Sequence, residues 1–591
     1  MMVKFQNPML RALEGERYEV QAPDTLDLAD RMALAVNALT NVFNPSEKYA
    51  LYFTVRFSCR PPLLMANHPM DAFLNIPPKF IEALALCRLA SGTDLNIQTD
   101  GAVLAEQLTL VAEDGLSYTP LDAMVRLEHP EMERPFAETW AEGRTLIALS
   151  MLTQLDDNPI WAEVARRKVD AMLSLATEKD DYLYLWKMRL RPGDRPNGAP
   201  EPGLWPAIYA SGALGHGSAL FHRVTGYEPA LKLARGLARW AAKRVFCSED
   251  GSWNYQHFHH SLYSLIGVLE YALAAGDEEL LARVDACYRF AREMGDSLIG
   301  YFTEYMPGHP DERFVDAPRA VEICEIADMV TIALKLTQAG VGDYWDDVDR
   351  WVRNMYAEGQ ITDTDFAERI PEEFMWPPPP MPYVDDRDIT RRSLGAFWGW
   401  MQPNNGLSIR IKEGKRRLLP WSIQHCCTAN GSRTLYYVWD SIVTRSGGAT
   451  QVNLLLNRAS PWLDVESYLP VEGRVVLRSK IAQRVVVRLP EWVEASTVTV
   501  TVEGKDKSVR SRGRELALGQ LKAGEAVTVN FPVPERTFWR LISNFPFKLT
   551  MRGSKVVAIE PRGEAAPLYE RQPTGRLVGK TRFVTKKRVV W

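Results

Sequence analysis

Long apolar runs are missing from this chain. No segment reaches the roughly 20 apolar residues that span a bilayer, so no helical membrane anchor is expected. The opening residues "MMVKFQNPMLRALEGERYEV" lack the apolar stretch of a secretory leader, and a cytoplasmic location is expected. A dominant charge is missing too. Seventy Lys and Arg against 74 Asp and Glu leave a net charge of −4, which gives no electrostatic footprint for nucleic acid. The one basic run, "GKTRFVTKKRVVW", reads either as a solvated edge or as a strand that docks through its apolar residues. Cysteine is scarce, with seven in 591 residues and none in a C-x-x-C pair. A disulfide scaffold is therefore not expected, and in a reducing compartment an odd count raises no pairing problem. Cys59, Cys87, Cys247 and Cys287 sit among apolar neighbours and read as small buried hydrophobes. No motif repeats residue for residue, which argues against a consensus repeat array.

What is present is an ordinary globular composition, 46% apolar and 24% charged, in a chain long enough to require two or more domains. From about 79 to 445 the period is helical. In "EPALKLARGLARWAAKRVF", Pro229 suits a first helical turn, and Leu233, Leu237 and Trp240 recur at steps of four and three. Several such segments end in glycine, as helices often do. Hairpins of roughly 40–50 residues follow one another, the rhythm of stacked helical pairs. Polar and aromatic residues gather at the hairpin ends. That favours a closed toroid of about a dozen helices, an (α/α)6 barrel, over an open solenoid. Between 361 and 420 the rhythm breaks. "EEFMWPPPPMPYVDDRD" cannot be helical, because consecutive prolines lack N–H donors and fix φ. Trp376, Met381 and Tyr383 give this rim segment surface to bury. After 445 the period falls to two. "RVVVRLPEWV", "STVTVTVEG" and "AVTVNFPVP" are short β-branched runs closed by Pro or Gly. The expected architecture is multidomain: an N-terminal segment, 1–78, partly β; a helical barrel, 79–445; and antiparallel β-sandwich units, 446–591.

One stretch carries chemistry. "WSIQHCCTANGSRTLYYVWD" sets Cys426 and Cys427 side by side, and "AVEICEIADMV" sets Glu322 two residues before Cys324. Positions i and i+2 diverge on a helix but share a side in an extended turn that leads into one. Three thiols and a carboxylate would suit Zn²⁺. The spacing alone leaves two readings open, a metal site or cysteines buried for packing. His425 could orient a thiolate or face solvent, while Asn430 and Arg433 read as groups that hold the cysteine loop.

"CCTANGSR" fits C-C-x-x-N-x-x-R and "EIC" fits E-x-C. Together they resemble the paired signatures of glycoside hydrolase family 127, the β-L-arabinofuranosidase-like family. "VRLPEWV", "GHGSALFHRVTG" and "HSLYSLIGVLEYA" are similar to its β-domain and barrel helices, so the resemblance runs from about 130 to 540. It implies an (α/α)6 barrel with β-sandwich domains behind it, a retaining exo-glycosidase activity on a terminal sugar, and a small oligosaccharide or glycoside as substrate. It implies Cys426 as nucleophile and a Zn²⁺ shell of Glu322, Cys324, Cys426 and Cys427. It also implies a glutamate acid/base upstream of E-x-C: Glu312 in "DERF", with Glu304 in "YFTEYMPG" as the alternative. His216 and His260 match pocket histidines. Trp398, Trp400, Trp421 and Tyr437 are candidates for an aromatic lining. The family's Gly-His-Tyr context reads "WAEGRTLIALSML" here, so Arg144 stands where a histidine would. Arg144 either pairs with an acidic sugar or braces the rim against Glu142 or Glu138. Two rival readings are a uronic-acid lyase or epimerase using His216 and His260, and a non-catalytic carbohydrate-binding zinc protein. No nucleic-acid or membrane partner is expected; a homodimer is compatible with the reading.

Overall fold

A computed structural model describes residues 5–68, 71–121, 133–196, 198–253, 255–306, 317–381, 383–412 and 414–591. In chain order the principal helices are α1 (Leu28–Thr40), α2 (Ile76–Ser91), α3 (Ile97–Thr109), α4 (Thr139–Leu155), α5 (Ile160–Leu175) and α6 (Leu204–Tyr209). A π-helical stretch, Ala210–Gly215, carries α6 without a break into α7 (His216–Thr225). Then come α8 (Glu228–Arg244), α9 (Phe258–Ala275), α10 (Glu278–Glu293), α11 (Ile323–Gln338), α12 (Trp345–Trp351) and α13 (His425–Ile442).

Side-chain periodicity sorts these helices into two rings. In α8 the buried face is Leu233, Leu237, Trp240 and the alanines between them, as the sequence spacing predicts. Helix α2 is instead buried all round, including Lys79, Glu82 and Arg88. A helix buried on every side belongs to an inner layer. The inner ring runs α2, α4, α6–α7, α9, α11, α13 and closes as α13 packs back on α2. Helices α1, α3, α5, α8, α10 and α12 lie outside it, each against one or two inner helices. This is the (α/α)6 toroid the sequence predicts. It draws on the N-terminal segment: α1 packs on both α2 and α13, across the point of closure.

Glycine sets the inner spacing. A Cβ on Gly143 of α4 would lie 2.1 Å from the Ala213 backbone, and one on Gly267 of α9 would lie 1.8 Å from the Ser211 carbonyl oxygen. Any side chain there would push apart helices that touch backbone to backbone. Charges caught inside are paired: Arg88 with Asp100 by two hydrogen bonds, and Lys168 with Glu142 at 2.7 Å. Breaking either pair would strand a charge in the core, at a cost of about 3–5 kcal/mol.

The prolines of the rim segment do hold it out of helix, and its large side chains dock. Trp376 Nε1 donates to the Leu418 carbonyl at 2.8 Å, and Met381 packs on Cys59, Leu63 and Met65. Beyond the barrel, a five-stranded sheet (Val443–Ser446, Ala449–Val452, Gln483–Arg488, Glu515–Leu521, Arg510–Arg512) and a six-stranded sheet supply Val485, Val487, Val475, Leu477 and Val529 to the common core. One expectation is corrected. Ala449–Val452 pairs in parallel with Gln483–Arg488. The chain leaves the first sheet to build Leu463–Ser467 and Arg474–Ser479 of the second before it returns, so no hairpin joins the parallel pair. A separate three-stranded meander spans Glu535–Ile542, Phe545–Arg552 and Lys555–Glu560.

The N-terminus is partly β, as expected: Gly15–Pro23 pairs along its whole length with Leu577–Thr585. After that strand the basic tail docks through its last residue. The Trp591 ring stacks on Tyr437 with centroids 4.3 Å apart, its Nε1 donates to Asp440, and its carbonyl accepts from Lys335 at 2.8 Å. Lys335 and Tyr437 lie in the later turns of α11 and α13, so the tail packs at this end of the barrel. Among the described residues no helix is long and apolar enough to cross a membrane. Cys59, Cys87 and Cys287 are buried as expected; Cys247 is exposed, in the turn after α8.

Candidate active site

The opposite end of the barrel is where inner helices begin. Backbone pairing fixes the start of α13. Ile423–Gln424 pairs with Thr54–Val55, and His425 N–H donates to the Phe53 carbonyl at 2.9 Å. The helix then begins at His425, so Cys426 and Cys427 occupy its first turn. Lys79 of α2 donates to the Cys426 carbonyl at 3.3 Å. Opposite, Val321 exchanges two backbone hydrogen bonds with Met401, and Glu322 follows as the extended cap of α11 (φ −83, ψ 147). The chain thus enters α11 from an extended residue, which puts Cys324 in the first turn.

These two helix starts bring three sulfurs together. Cys324, Cys426 and Cys427 have Sγ atoms all within 4.8 Å of one another, with Cys324 and Cys427 at 3.5 Å and Cys426 and Cys427 at 3.9 Å. Cys324 and Cys427 are fully buried; Cys426 is half-buried. The Glu322 carboxylate is not part of this tight group, but it feels it: burial, then Glu304, then Cys426 push it well above the usual carboxylate range. Sulfur contacts with Cys324 and Cys427 hold Cys426 well below the usual thiol range, against the effect of burial, and Lys79 and His259 act in the same direction. Burial drives Cys324 and Cys427 the other way. Asn430, one turn into α13, donates to Cys324 Sγ at 3.0 Å. Among the described residues this is the one group of three or more such ligand atoms close enough to hold a metal ion. Zinc–sulfur bonds of about 2.3 Å at tetrahedral angles put neighbouring sulfurs about 3.8 Å apart, and the observed separations bracket that.

The other candidates divide. His260 is at the mouth, in the first turn of α9. It stacks on His257 at 3.8 Å and faces Tyr209 and Trp205, and burial holds it neutral. His216 is not with it. It lies about 18 Å along the α6–α7 helix from its start, with Nε2 3.8 Å from Glu270 in a buried network with Lys335 and Arg223. Arg144 lies inside the mouth, bound to the Asn75 side chain and carbonyl and over the Trp140 ring. It does not pair with Glu142, which Lys168 and the Ser117 N–H occupy. Trp398 is only 4% exposed, wedged edge-on between Phe57 and Phe366; it is core, not lining. Its neighbour Trp400 faces the site instead, donating Nε1–H to Glu304 at 2.9 Å and lying 5.6 Å from the Trp421 ring. Tyr437 is far down the barrel, bonded to Glu82 and stacked on Trp591. His425 is buried against Phe80 and Thr428 and held neutral, so it neither meets solvent nor carries charge to a thiolate. Glu312 lies outside the described residues.

Sequence reading missed three contributors. Lys79 is buried with its pKa drawn down to about 8 by burial; an ammonium directly before the largely apolar "FIEALAL" of α2 was the available signal. The His259–Asp328 bond at 2.6 Å joins α9 to α11 beside the sulfurs, and an acid in "EIADMV" marks it. Glu325 is fully buried, and burial and its acidic neighbours raise its pKa.

Fold and site together define a helical toroid with a three-sulfur centre at its mouth and β units behind it. No protein-family model matches the sequence, and no curated protein sequence matches it. Solved structures do. The chain is similar to a GH127 β-L-arabinofuranosidase from Geobacillus stearothermophilus T6, with 14% identity over 90% of this chain and 80% of that one and a TM-score of 0.55. A second GH127 β-arabinofuranosidase matches at 14% identity over the same shares, with a TM-score of 0.56. A structure described as a glycoside hydrolase matches at 12% identity over 93% and 84%, with a TM-score of 0.57. At these identities the likeness is one of fold, and the fold is GH127-like.

Proposed function

We propose that the chain is a retaining glycoside hydrolase that releases a terminal sugar, a β-L-arabinofuranoside or a related sugar, with Cys426 as nucleophile. One observation carries the reading: a partly buried cysteine with a lowered pKa stands at the mouth of a closed barrel, beside two buried sulfurs. The three sulfurs fit Zn²⁺, which Cys324, Cys426 and Cys427 would hold; Glu322, outside the tight group, would swing in to supply oxygen. Bound there, the ion would keep Cys426 deprotonated at neutral pH.

The protein's own groups do the rest. Cys426 Sγ attacks the anomeric carbon while a carboxylic acid protonates the departing oxygen. The same carboxylate then activates water to displace the sulfur, and two inversions give retention. We assign the acid/base role to Glu304. Its backbone is pinned between Ala320 and Phe258, Trp400 fixes its Oε2, and its charge reaches Glu322. Arg144 spends Nη1 on Asn75 and lies over the Trp140 ring, so less of its fork is open to a carboxylate, which favours a neutral sugar over a uronic acid. His216 and His260 sit in separate networks, so the geometry does not support the acid–base pair of a lyase or epimerase.

The test is a panel of p-nitrophenyl furanosides, pyranosides and glycuronides, assayed with and without chelator, with the product anomer followed by NMR. Hydrolysis of a neutral glycoside with retention, lost on chelation and restored by Zn²⁺, is expected. Turnover of none of the panel would overturn the reading. The Asn430 bond gives a second measurement. Asn430→Ala should weaken metal affinity by about 10–100-fold in competition with a chromophoric chelator, because it removes the side-chain amide that donates to Cys324. An unchanged affinity would show that the bond does not orient the ligand.

A further inference from the structure

Two tryptophans are exposed at the mouth, and they belong to different walls. Trp205, 44% exposed, begins α6 and is joined through Tyr209, Tyr255 and His260 to the histidine side of the site. Trp421, also 44% exposed, sits five residues before Cys426 and lies against Trp400 at 5.6 Å, the rings tilted by 49°. Trp400 in turn holds Glu304 by its indole N–H at 2.9 Å. An unbroken chain therefore runs from Glu304 through Trp400 to an indole face open to solvent. Exposed indoles are costly in water, and among the described residues Trp421 keeps 44% of its surface open.

A general acid must lie within hydrogen-bond reach of the oxygen it protonates. Whatever that oxygen belongs to must then extend away from the nucleophile on the acid's side. On that side the structure offers the Trp400–Trp421 pair. An indole is a large, rigid, apolar plate, and a sugar ring carries C–H groups on its faces and hydroxyls around its edge. We infer that Trp421 is the platform of a leaving-group subsite, stacking the apolar face of the sugar residue to which the released sugar is linked. The proposal rests on the glycosidase reading and on Glu304 as its acid, and it adds the substrate's class: a glycoside whose leaving group is itself a sugar ring, not a small alcohol. Trp205 packs with Tyr209, Tyr255 and His260 and not with the Trp400–Trp421 pair, so it serves as the control.

The experiment compares the wild-type protein with Trp421→Ala and Trp205→Ala on two substrates that share one glycon: a disaccharide and the glycosyl fluoride, whose leaving group has no ring to stack. Trp421→Ala should lower kcat/KM for the disaccharide by about tenfold or more, mainly through KM, and leave the fluoride within about twofold. Trp205→Ala should not change the ratio between the two substrates. Equal losses on both substrates for Trp421→Ala, or no loss on either, would overturn the subsite while leaving the glycosidase reading intact. Failure of the wild-type protein to cleave either substrate would overturn both. A circular-dichroism melt of each variant separates loss of the platform from loss of the fold.

Discussion

Cys426→Ser is expected to lose at least about 10⁴-fold in kcat on every glycoside the wild-type protein cleaves. The reason is chemical, since the geometry barely changes. Serine nearly matches cysteine in shape, and residue 426 is half-buried, so little packing is disturbed. A serine hydroxyl, however, stays protonated where the thiol is already drawn down by its sulfur neighbours, Lys79 and His259. Without an ionised nucleophile the first displacement has no attacking group. Two controls make the result decisive. The variant should melt within a few degrees of wild type, and a haloacetamide-bearing sugar should label the wild-type protein at Cys426, as read by peptide mass spectrometry. Retained turnover in Cys426→Ser, or labelling elsewhere with full inactivation, would remove cysteine from the mechanism.

Glu304→Gln should have the second largest effect, and its signature is selective. Loss of the proton donor should cost about 10²–10⁴-fold in kcat/KM on substrates with a sugar leaving group. Activated aryl glycosides need little protonation, so they should lose far less in the first step. The amide also keeps the shape and a hydrogen-bond acceptor for the Trp400 indole, so positioning is preserved. Glu312→Gln serves as the rival. If Glu312 is the acid, the leaving-group dependence will appear in that variant and not in Glu304→Gln. Measuring both across leaving groups of graded acidity assigns the role.

Much of the fold was legible because it rests on periodicity. The steps of three and four in α8 and the alternation in Gln483–Arg488 are local, and local patterns survive folding. The parallel pairing of Ala449–Val452 was not legible, because alternation fixes which face a strand buries and not which neighbour it takes. The inner ring was half legible. Its helices announce themselves by uniform burial, but the backbone contacts at Gly143 and Gly267 depend on partners some 70 and 56 residues away, which no window contains. At the site, the paired motifs led to the three sulfurs because those residues sit next to the helix starts that gather them. The aromatic lining misled. Trp398 and Trp400 are two residues apart on an extended stretch that enters a tight bend, and burial of one and presentation of the other is decided by Phe57, Phe366 and Glu304, all distant in sequence. Lys79 and Asp328 carried a signal in the form of charges on helices that are mostly apolar and buried, the kind of local inconsistency expected at a functional site.

The way the ring closes bears on how the protein comes into being. Lys79 and the carbonyl of Cys426 meet across 347 residues of sequence, at the seam where the last inner helix joins the first. During synthesis from the N-terminus, α2 must wait with an apolar flank uncovered until α13 has left the ribosome. Such delayed, long-range closure makes folding slow and the partly made chain adhesive. Cys426, the proposed nucleophile, is itself part of the clasp. The three sulfurs are therefore gathered only when the ring closes, in a single late event.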